Sequence, residues 1–371
     1  MEPPWFAAAT KPDAEVLTML TSLQDFGFVP FFARQVSPDE LERDRVGRVV
    51  EVQRSIFIVS DGTDERSVSL ISALRNAAPE YRPTVGDWVV LDESCSRVER
   101  VLDRKSEFRR LAAGEKSEIQ LIAANVDILF VVTSCNEEFK ESRLERYLAL
   151  AHEAGAIPVI VLTKIDLSDD PDSYSERANG IRSGLHVERI NALDKNTFAG
   201  IFAWLEPGST VALAGSSGVG KSTILNTMAG KRVAATAGIR DDDKKGRHTT
   251  THRALHRLPG GGLMIDVPGM RELGVSVGDA ALAAVFDDIE AVATRCRFVD
   301  CGHGSEPGCA VRLAVENGDI TERRLDSYLR LLRENARNNA SLAERRSKDR
   351  AFAKLARQVK ARKKQDRSTG D

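Results

Sequence analysis

At 371 residues, with 42% hydrophobic residues and a formal net charge of −2, the chain can bury two or three cores and is not a polycation as a whole. It has no run of eighteen apolar residues and no basic segment leading into an apolar one at its start, so a cytoplasmic protein without a membrane span is expected. Its five cysteines are expected to stay reduced, which favours metal ligation over disulfides.

The first elements are helical. Val16-Leu-Thr-Met-Leu20 with Leu23 and Phe26 has amphipathic spacing, and Gly27-Phe-Val-Pro30 ends it, giving an N-terminal helical extension over residues 1–43. Residues 44–103 then change to a period of two. Gly47-Arg-Val-Val-Glu-Val52 and Ser55-Ile-Phe-Ile-Val59 read as strands around an Asp61-Gly62 turn, and Val85–Val90 and Arg97–Val101 continue the series. Several short strands in sixty residues predict a small barrel, a form that commonly binds single-stranded nucleic acid. Phe57 suits either the core or a stacking platform; Trp88 suits the core.

From residue 104 to 275 the pattern is that of a nucleotide-binding α/β domain. The apolar run Pro158-Val-Ile-Val-Leu162 leads into Thr163-Lys164-Ile165-Asp166. A carboxylate after such a strand can accept two hydrogen bonds from the guanine N1–H and exocyclic amine, with the lysine stem lying along the base. Alone, the four residues would serve equally as a helix N-cap.

Val211-Ala-Leu-Ala214 is followed by Gly215-Ser216-Ser217-Gly218-Val219-Gly220-Lys221-Ser222 and by Thr223, which opens a helix. Strand, glycine-rich turn and helix start together form a phosphate-binding loop. Its backbone N–H groups face phosphate oxygens, Lys221 reaches the β/γ-phosphates and the Ser222 hydroxyl can hold Mg²⁺.

Asp241-Asp-Asp-Lys-Lys-Gly-Arg-His-Thr-Thr-Thr-His252 lacks any apolar period and suits a switch loop ordered by nucleotide. One of Thr249, Thr250 or Thr251 is expected to bind Mg²⁺, with Thr250 preferred. Gly262-Leu-Met-Ile265 then carries Asp266-Val-Pro-Gly269: the aspartate can hold the Mg²⁺ water shell, and the Gly269 N–H can meet the γ-phosphate. Met270 stands where many GTPases carry a water-orienting glutamine. In ordinary small GTPases the base-reading segment comes last; here it precedes the phosphate loop. That order predicts a circular permutation, with the second switch leading straight into the downstream residues.

Cys296, Cys301, His303 and Cys309 lie within fourteen residues. Three thiolates and one imidazole complete a tetrahedral zinc set with no open position, so a structural Zn²⁺ is expected in a helical module over 276–340. Residues 341–371 hold eleven Lys or Arg against four acids. Such a basic tail suits RNA phosphates, though a solvated tail has the same composition.

These motifs, with Lys105-Ser-Glu-Phe108, Glu115-Lys116, Ala123-Ala-Asn-Val-Asp127, Arg143-Leu-Glu-Arg-Tyr147, Gly246-Arg-His-Thr-Thr-Thr-His252 and Pro268-Gly-Met-Arg-Glu272, resemble the ribosome small subunit-dependent GTPase A family over roughly 45–335. The resemblance implies a multidomain α/β protein: a circularly permuted P-loop GTPase domain with an N-terminal OB-type β-barrel and a C-terminal helical zinc-binding domain. It implies GTP hydrolysis to GDP in late maturation of the small ribosomal subunit, with that subunit and its rRNA as partners and as the stimulus to turnover. It also implies His248 as the water-positioning residue and Asn191-Ala192 as a contributor to the base pocket. Asparagine stands where the family has serine, so only the backbone contact carries over. A monomer is expected. The competing reading is a nucleotide-gated RNA-binding module with negligible turnover, motivated by Met270.

Overall fold

The structure, a computed structural model, describes residues 21–53, 55–111, 119–231, 254–266 and 277–338. The parts of the sequence reading that fall on Val16–Leu20, Glu115-Lys116, His248, Thr249–Thr251, Gly269, Met270 and the tail at 341–371 lie outside these residues. Two compact units divide the chain, Met1–Gly274 and Val275–Asp371.

In the first unit, five strands close on themselves. β1 (Val46–Gln53) pairs with both β2 (Ile56–Ser60) and β4 (Trp88–Leu91), while β3 (Glu65–Leu70) and β5 (Arg97–Val101) complete the ring. The closed form removes free edges and turns alternate residues inward. Val49, Phe57, Val59, Val68, Leu70, Val89, Leu91 and Val98 fill the interior.

The barrel departs from the expected strands in two places. β3 carries no clear period in the sequence, because Val68 and Leu70 are its only large apolar residues; the barrel buries just that face. Val85–Asp87 is a turn rather than strand: the Asp87 carboxylate accepts from the Thr84 N–H at 2.7 Å and Arg104 grips it at 2.8 and 2.9 Å. Phe57 and Trp88 are both buried, so neither offers a stacking platform. The Trp88 ring instead packs on Phe28 and Phe32, with centroids 4.9 and 5.9 Å away, and seats the short helix Pro30–Ala33 against the barrel.

A hairpin of β6 (Glu107–Leu111) and β7 (Ile119–Ala124) leads into the second sheet region. Its strands are β8 (Ile128–Ser134), β9 (Ile157–Thr163), β10 (His186–Arg189), β11 (Thr210–Ala214), β12 (Ala254–Arg257) and β13 (Leu263–Asp266), in the order β10-β9-β8-β11-β13-β12. All neighbours run parallel except β12 with β13. Every residue of β8 and β11 is buried, as expected of central parallel strands covered on both faces.

Helices α1 (Glu141–Ala154), α2 (Pro171–Asn179) and α3 (Lys221–Ala229) connect the strands. α1 buries Leu144, Tyr147, Leu148 and Ala151 at helical spacing and stops at left-handed Gly155. The Asp170 carboxylate caps α2, accepting from the Ser173 N–H at 3.2 Å, and Pro171 takes the first helical position.

Glu51 of β1 pairs with Ala254 of β12, so barrel and nucleotide-type sheet form one eleven-stranded sheet. Arg48 staples the same junction. Fully buried, it donates to the carbonyls of Gly86 (3.1 Å), Phe26 (2.9 Å) and Asn125 (3.0 Å), tying three distant segments together.

The second unit is helical: α4 (Asp279–Val285), α5 (Asp287–Ala293), α6 (Ala310–Glu316) and α7 over 322–338. Leu282, Val285, Phe286, Ile289, Val311, Leu325 and Tyr328 are buried in it. Arg324 is held by both oxygens of Asp288, at 2.7 and 2.8 Å, and lies over the Phe286 ring. Among the described residues no helix is long and apolar enough to cross a membrane.

Candidate nucleotide site and metal cluster

The C-terminal ends of the parallel strands carry the sequence-predicted loops. β11 lies between β8 and β13, so the phosphate loop leaving β11 has the Ser134–Lys140 turn on one side and Asp266, the last residue of β13, on the other. Gly215 enters the loop with φ 146°, and a Cβ there would stand 2.2 Å from the Val132 carbonyl oxygen. No other residue allows so close an approach to β8. Gly218 has φ 77° with nothing within 4 Å of a built Cβ, so the loop is open on that side. Val219 turns into the core, and Gly220, in left-handed backbone with φ 102°, precedes the first turn of α3. Lys221 folds back on its own loop, donating to the carbonyls of Gly215 (2.9 Å) and Ser216 (2.5 Å). Ser217 and Gly218 are exposed, while Ser216, Ser222 and Thr223 are half-buried.

Three segments distant in sequence meet here. The buried Thr163 hydroxyl lies 2.7 Å from the Val219 carbonyl and 3.2 Å from that of Thr133, joining the end of β9 to the phosphate loop. Lys164 takes left-handed backbone, φ 58°, and starts the turn Ile165–Leu167 that presents Asp166 to solvent. Ala192 comes within 3.7 Å of a Cβ built on Gly220, and its carbonyl accepts from Thr227 of α3 at 2.8 Å. The Asn191 side chain is occupied by its own turn, accepting from the Leu193 N–H at 3.0 Å. Asparagine in the serine place thus shapes the loop.

One contact at this site was not read from sequence. Arg143, in the first turn of α1, donates to the Ser216 hydroxyl and to the Glu138 carboxylate (2.9 Å) and carbonyl (3.2 Å). It opens the Arg143–Tyr147 motif, but nothing in the spacing points to Ser216, 73 residues away.

In the second unit the four predicted metal ligands converge, their donor atoms all within 4.8 Å of one another. Cys296 Sγ lies 3.7 Å from His303 Nδ1 and 4.0 Å from Cys309 Sγ, and Cys309 Sγ lies 3.6 Å from His303 Nδ1. A tetrahedral zinc with its usual Zn–S and Zn–N lengths requires edges of about 3.6–3.8 Å, so the set fits zinc and is too open for a disulfide. The loop is held independently: the Glu306 carboxylate accepts from Gly302 N (3.0 Å) and Gly304 N (2.7 Å), and the Cys309 sulfur caps α6 through Arg312 N. Burial lowers the pKa of His303, favouring the neutral imidazole that ligation needs.

Comparison with known proteins bears on this geometry. The family model described as RsgA GTPase matches residues 101–276. Small ribosomal subunit biogenesis GTPase RsgA 2 of Vibrio parahaemolyticus is 46% identical over 342 residues, covering 92% of this chain and 94% of its own length. This chain belongs to the RsgA GTPase family. A second family member, RsgA 2 of Listeria monocytogenes, is 40% identical over 89% of this chain and 94% of its own. The crystal structure of YjeQ from Thermotoga maritima matches with a TM-score of 0.57 and 27% identity, covering 79% of this chain and 98% of that one. YloQ, described as a circularly permuted GTPase, matches with a TM-score of 0.55 and 25% identity over 79% and 95%. As an RsgA-family member the chain is a circularly permuted GTPase with an OB-like barrel, and the family implies guanine nucleotide with Mg²⁺.

Proposed function

We propose that this chain binds GTP and Mg²⁺ at the β9, β11 and β13 loops, hydrolyses the γ-phosphate, and uses the nucleotide state to engage and then leave the small ribosomal subunit late in its maturation. The observation that carries the reading is the meeting of Thr163, Ala192 and the phosphate loop at one strand edge, linked by the Thr163–Val219 and Thr227–Ala192 hydrogen bonds. Relatives named for small-subunit biogenesis, matched over nearly the whole chain, support the ribosomal role.

In this reading Asp166 pairs with guanine while Lys164 and the 191–192 backbone border the base. The N–H groups of 215–220 hold the phosphates, with Lys221 on their outer oxygens and Thr223 beside them. Ser222, Thr250 and Asp266 would hold the Mg²⁺, which would offset negative charge on the phosphates. Gly269 meets the γ-phosphate, and His248 orients the water in place of the glutamine replaced by Met270. Cys296, Cys301, His303 and Cys309 hold one structural Zn²⁺. The barrel, the metal module and the basic tail offer contacts to rRNA, and the protein works as a cytoplasmic monomer.

Without a partner the expected turnover is roughly 10⁻⁴–10⁻² s⁻¹, rising by orders of magnitude once the switches are ordered. The test is multiple-turnover phosphate release with and without purified small subunits, paired with sedimentation in a non-hydrolysable GTP analogue or GDP. Stimulation together with analogue-dependent sedimentation is expected. Analogue-dependent sedimentation with no turnover at all would instead favour a nucleotide-gated RNA-binding module, the reading that Met270 supports.

A further inference from the structure

Arg143 is a half-buried cation beside a phosphate loop that already contains Lys221. Its placement follows from the sheet. β8 and β11 run parallel in register from Val211↔Ile128 to Ala214↔Val131, so the turn after β8 and the loop after β11 leave the same edge side by side. Gly215 rests against the Val132 carbonyl, drawing the loop onto β8, and the first turn of α1 then presents Arg143 to Ser216.

Ser216 is gripped at two points. Lys221 takes its carbonyl at 2.5 Å, and the Arg143 guanidinium donates to its hydroxyl. Glu138 anchors the arginine through carboxylate and carbonyl alike, and the Thr133 hydroxyl donates to that same carbonyl at 3.4 Å. The Arg143 hydrogen bond, joined by the nearby positive charge of Lys140 and Lys164, keeps the Glu138 carboxyl below its ordinary pKa. β8 lies between β9 and β11 in the sheet, so the Glu138 turn that follows it lies between the base-reading and phosphate-binding segments.

From this geometry we infer that Arg143 is a positioning residue for nucleotide binding: acting through the Ser216 hydroxyl, it holds the phosphate loop in the shape that receives the α- and β-phosphates. One guanidinium nitrogen of Arg143, Nη1, bonds both Glu138 and Ser216, so the anchor at Glu138 passes directly to the loop, whereas a loop with three glycines among its first six residues has little stiffness of its own. Preorganisation of this kind acts on GDP and GTP alike, because the nest it shapes touches the phosphates they share. The inference rests on the GTP-binding reading above.

The test uses the full-length protein with a fluorescent N-methylanthraniloyl derivative of GDP and of GTP. Arg143→Ala and Ser216→Ala are each expected to weaken both nucleotides about tenfold, the value of one charge-assisted hydrogen bond. The double variant should be no weaker than either single one, because both remove the same contact. Turnover at saturating GTP should fall by less than about twofold, with the loss appearing in KM. An unchanged unfolding midpoint for Ser216→Ala, which removes one oxygen, controls for folding. Tight nucleotide binding by Ser216→Ala overturns the inference. So does a loss confined to kcat in Arg143→Ala, which would make the cation act on the transition state. If the wild type takes up neither nucleotide, the underlying reading fails and this inference falls with it.

Discussion

Replacing Arg48 by methionine separates hydrogen bonding from charge at the junction of barrel and nucleotide sheet. The guanidinium is fully buried, and among the described residues it has three backbone carbonyls as acceptors and no carboxylate bonded to it. Burial lowers its pKa from 12.5 to about 10, opposed by the charges of Asp127 and Asp87, so it remains protonated at neutral pH. Net of those two charges, holding the guanidinium protonated here costs roughly 3 kcal/mol, which methionine recovers. Against this stand three charge-assisted hydrogen bonds, each contributing roughly 1.5–3 kcal/mol. Gly86 O keeps a second donor, Asn125 Nδ2 at 3.0 Å, while the carbonyls of Phe26 and Asn125 lose the arginine that serves them. The net expectation is a loss of about 3 kcal/mol, or roughly 6–12 °C in the unfolding midpoint of a domain of this size. Arg48→Lys should do no better, since an ammonium carries the same desolvation cost without the fork that spans three acceptors. Calorimetry on the two variants decides the matter. A midpoint for Arg48→Met within about 2 °C of wild type, or full rescue by lysine, would refute the hydrogen-bond account.

Three further outcomes follow. Asp166→Asn should weaken GTP by roughly a hundredfold or more and raise affinity for xanthosine nucleotides, measured by competition; unchanged GTP binding rules out the base-pairing role. Metal analysis should find about one zinc per chain, lost in Cys309→Ser, and chelation should free thiols and unfold the local module, since structural zinc binding in finger peptides is worth roughly 10–16 kcal/mol. A metal-free wild type with intact helical signal would contradict this. Burial pushes the Cys135 thiol up to about 11, so it stays protonated at pH 8 and native alkylation should spare it while labelling Cys95. Its reactivity should rise only as the pH approaches that value. Equal labelling of the two at pH 8 would show that Cys135 is not buried as described.

The chemistry of this protein was legible where it depends on neighbours in the chain. A phosphate nest needs closely spaced glycines before a helix, and tetrahedral zinc needs four donors at short spacing. Both constraints are met within fourteen residues, at 215–222 and at 296–309. The alternation of Val49, Phe57, Val59 and Val89 revealed the barrel for the same local reason, whereas β3, with two apolar residues, gave too little period to detect. The order of the motifs disclosed the permutation, because it needs only the positions of the loops.

Tertiary structure alone decided what joins these parts. Arg48 finds its acceptors 22, 38 and 77 residues away, and Arg143 meets Ser216 across 73. Glu51 of the barrel pairs with Ala254 on β12, whose other neighbour, β13, ends at Asp266. Such contacts carry no spacing or periodicity, because their partners come together only after the sheet has been threaded. A buried arginine looks in sequence like any surface arginine until the strands around it close.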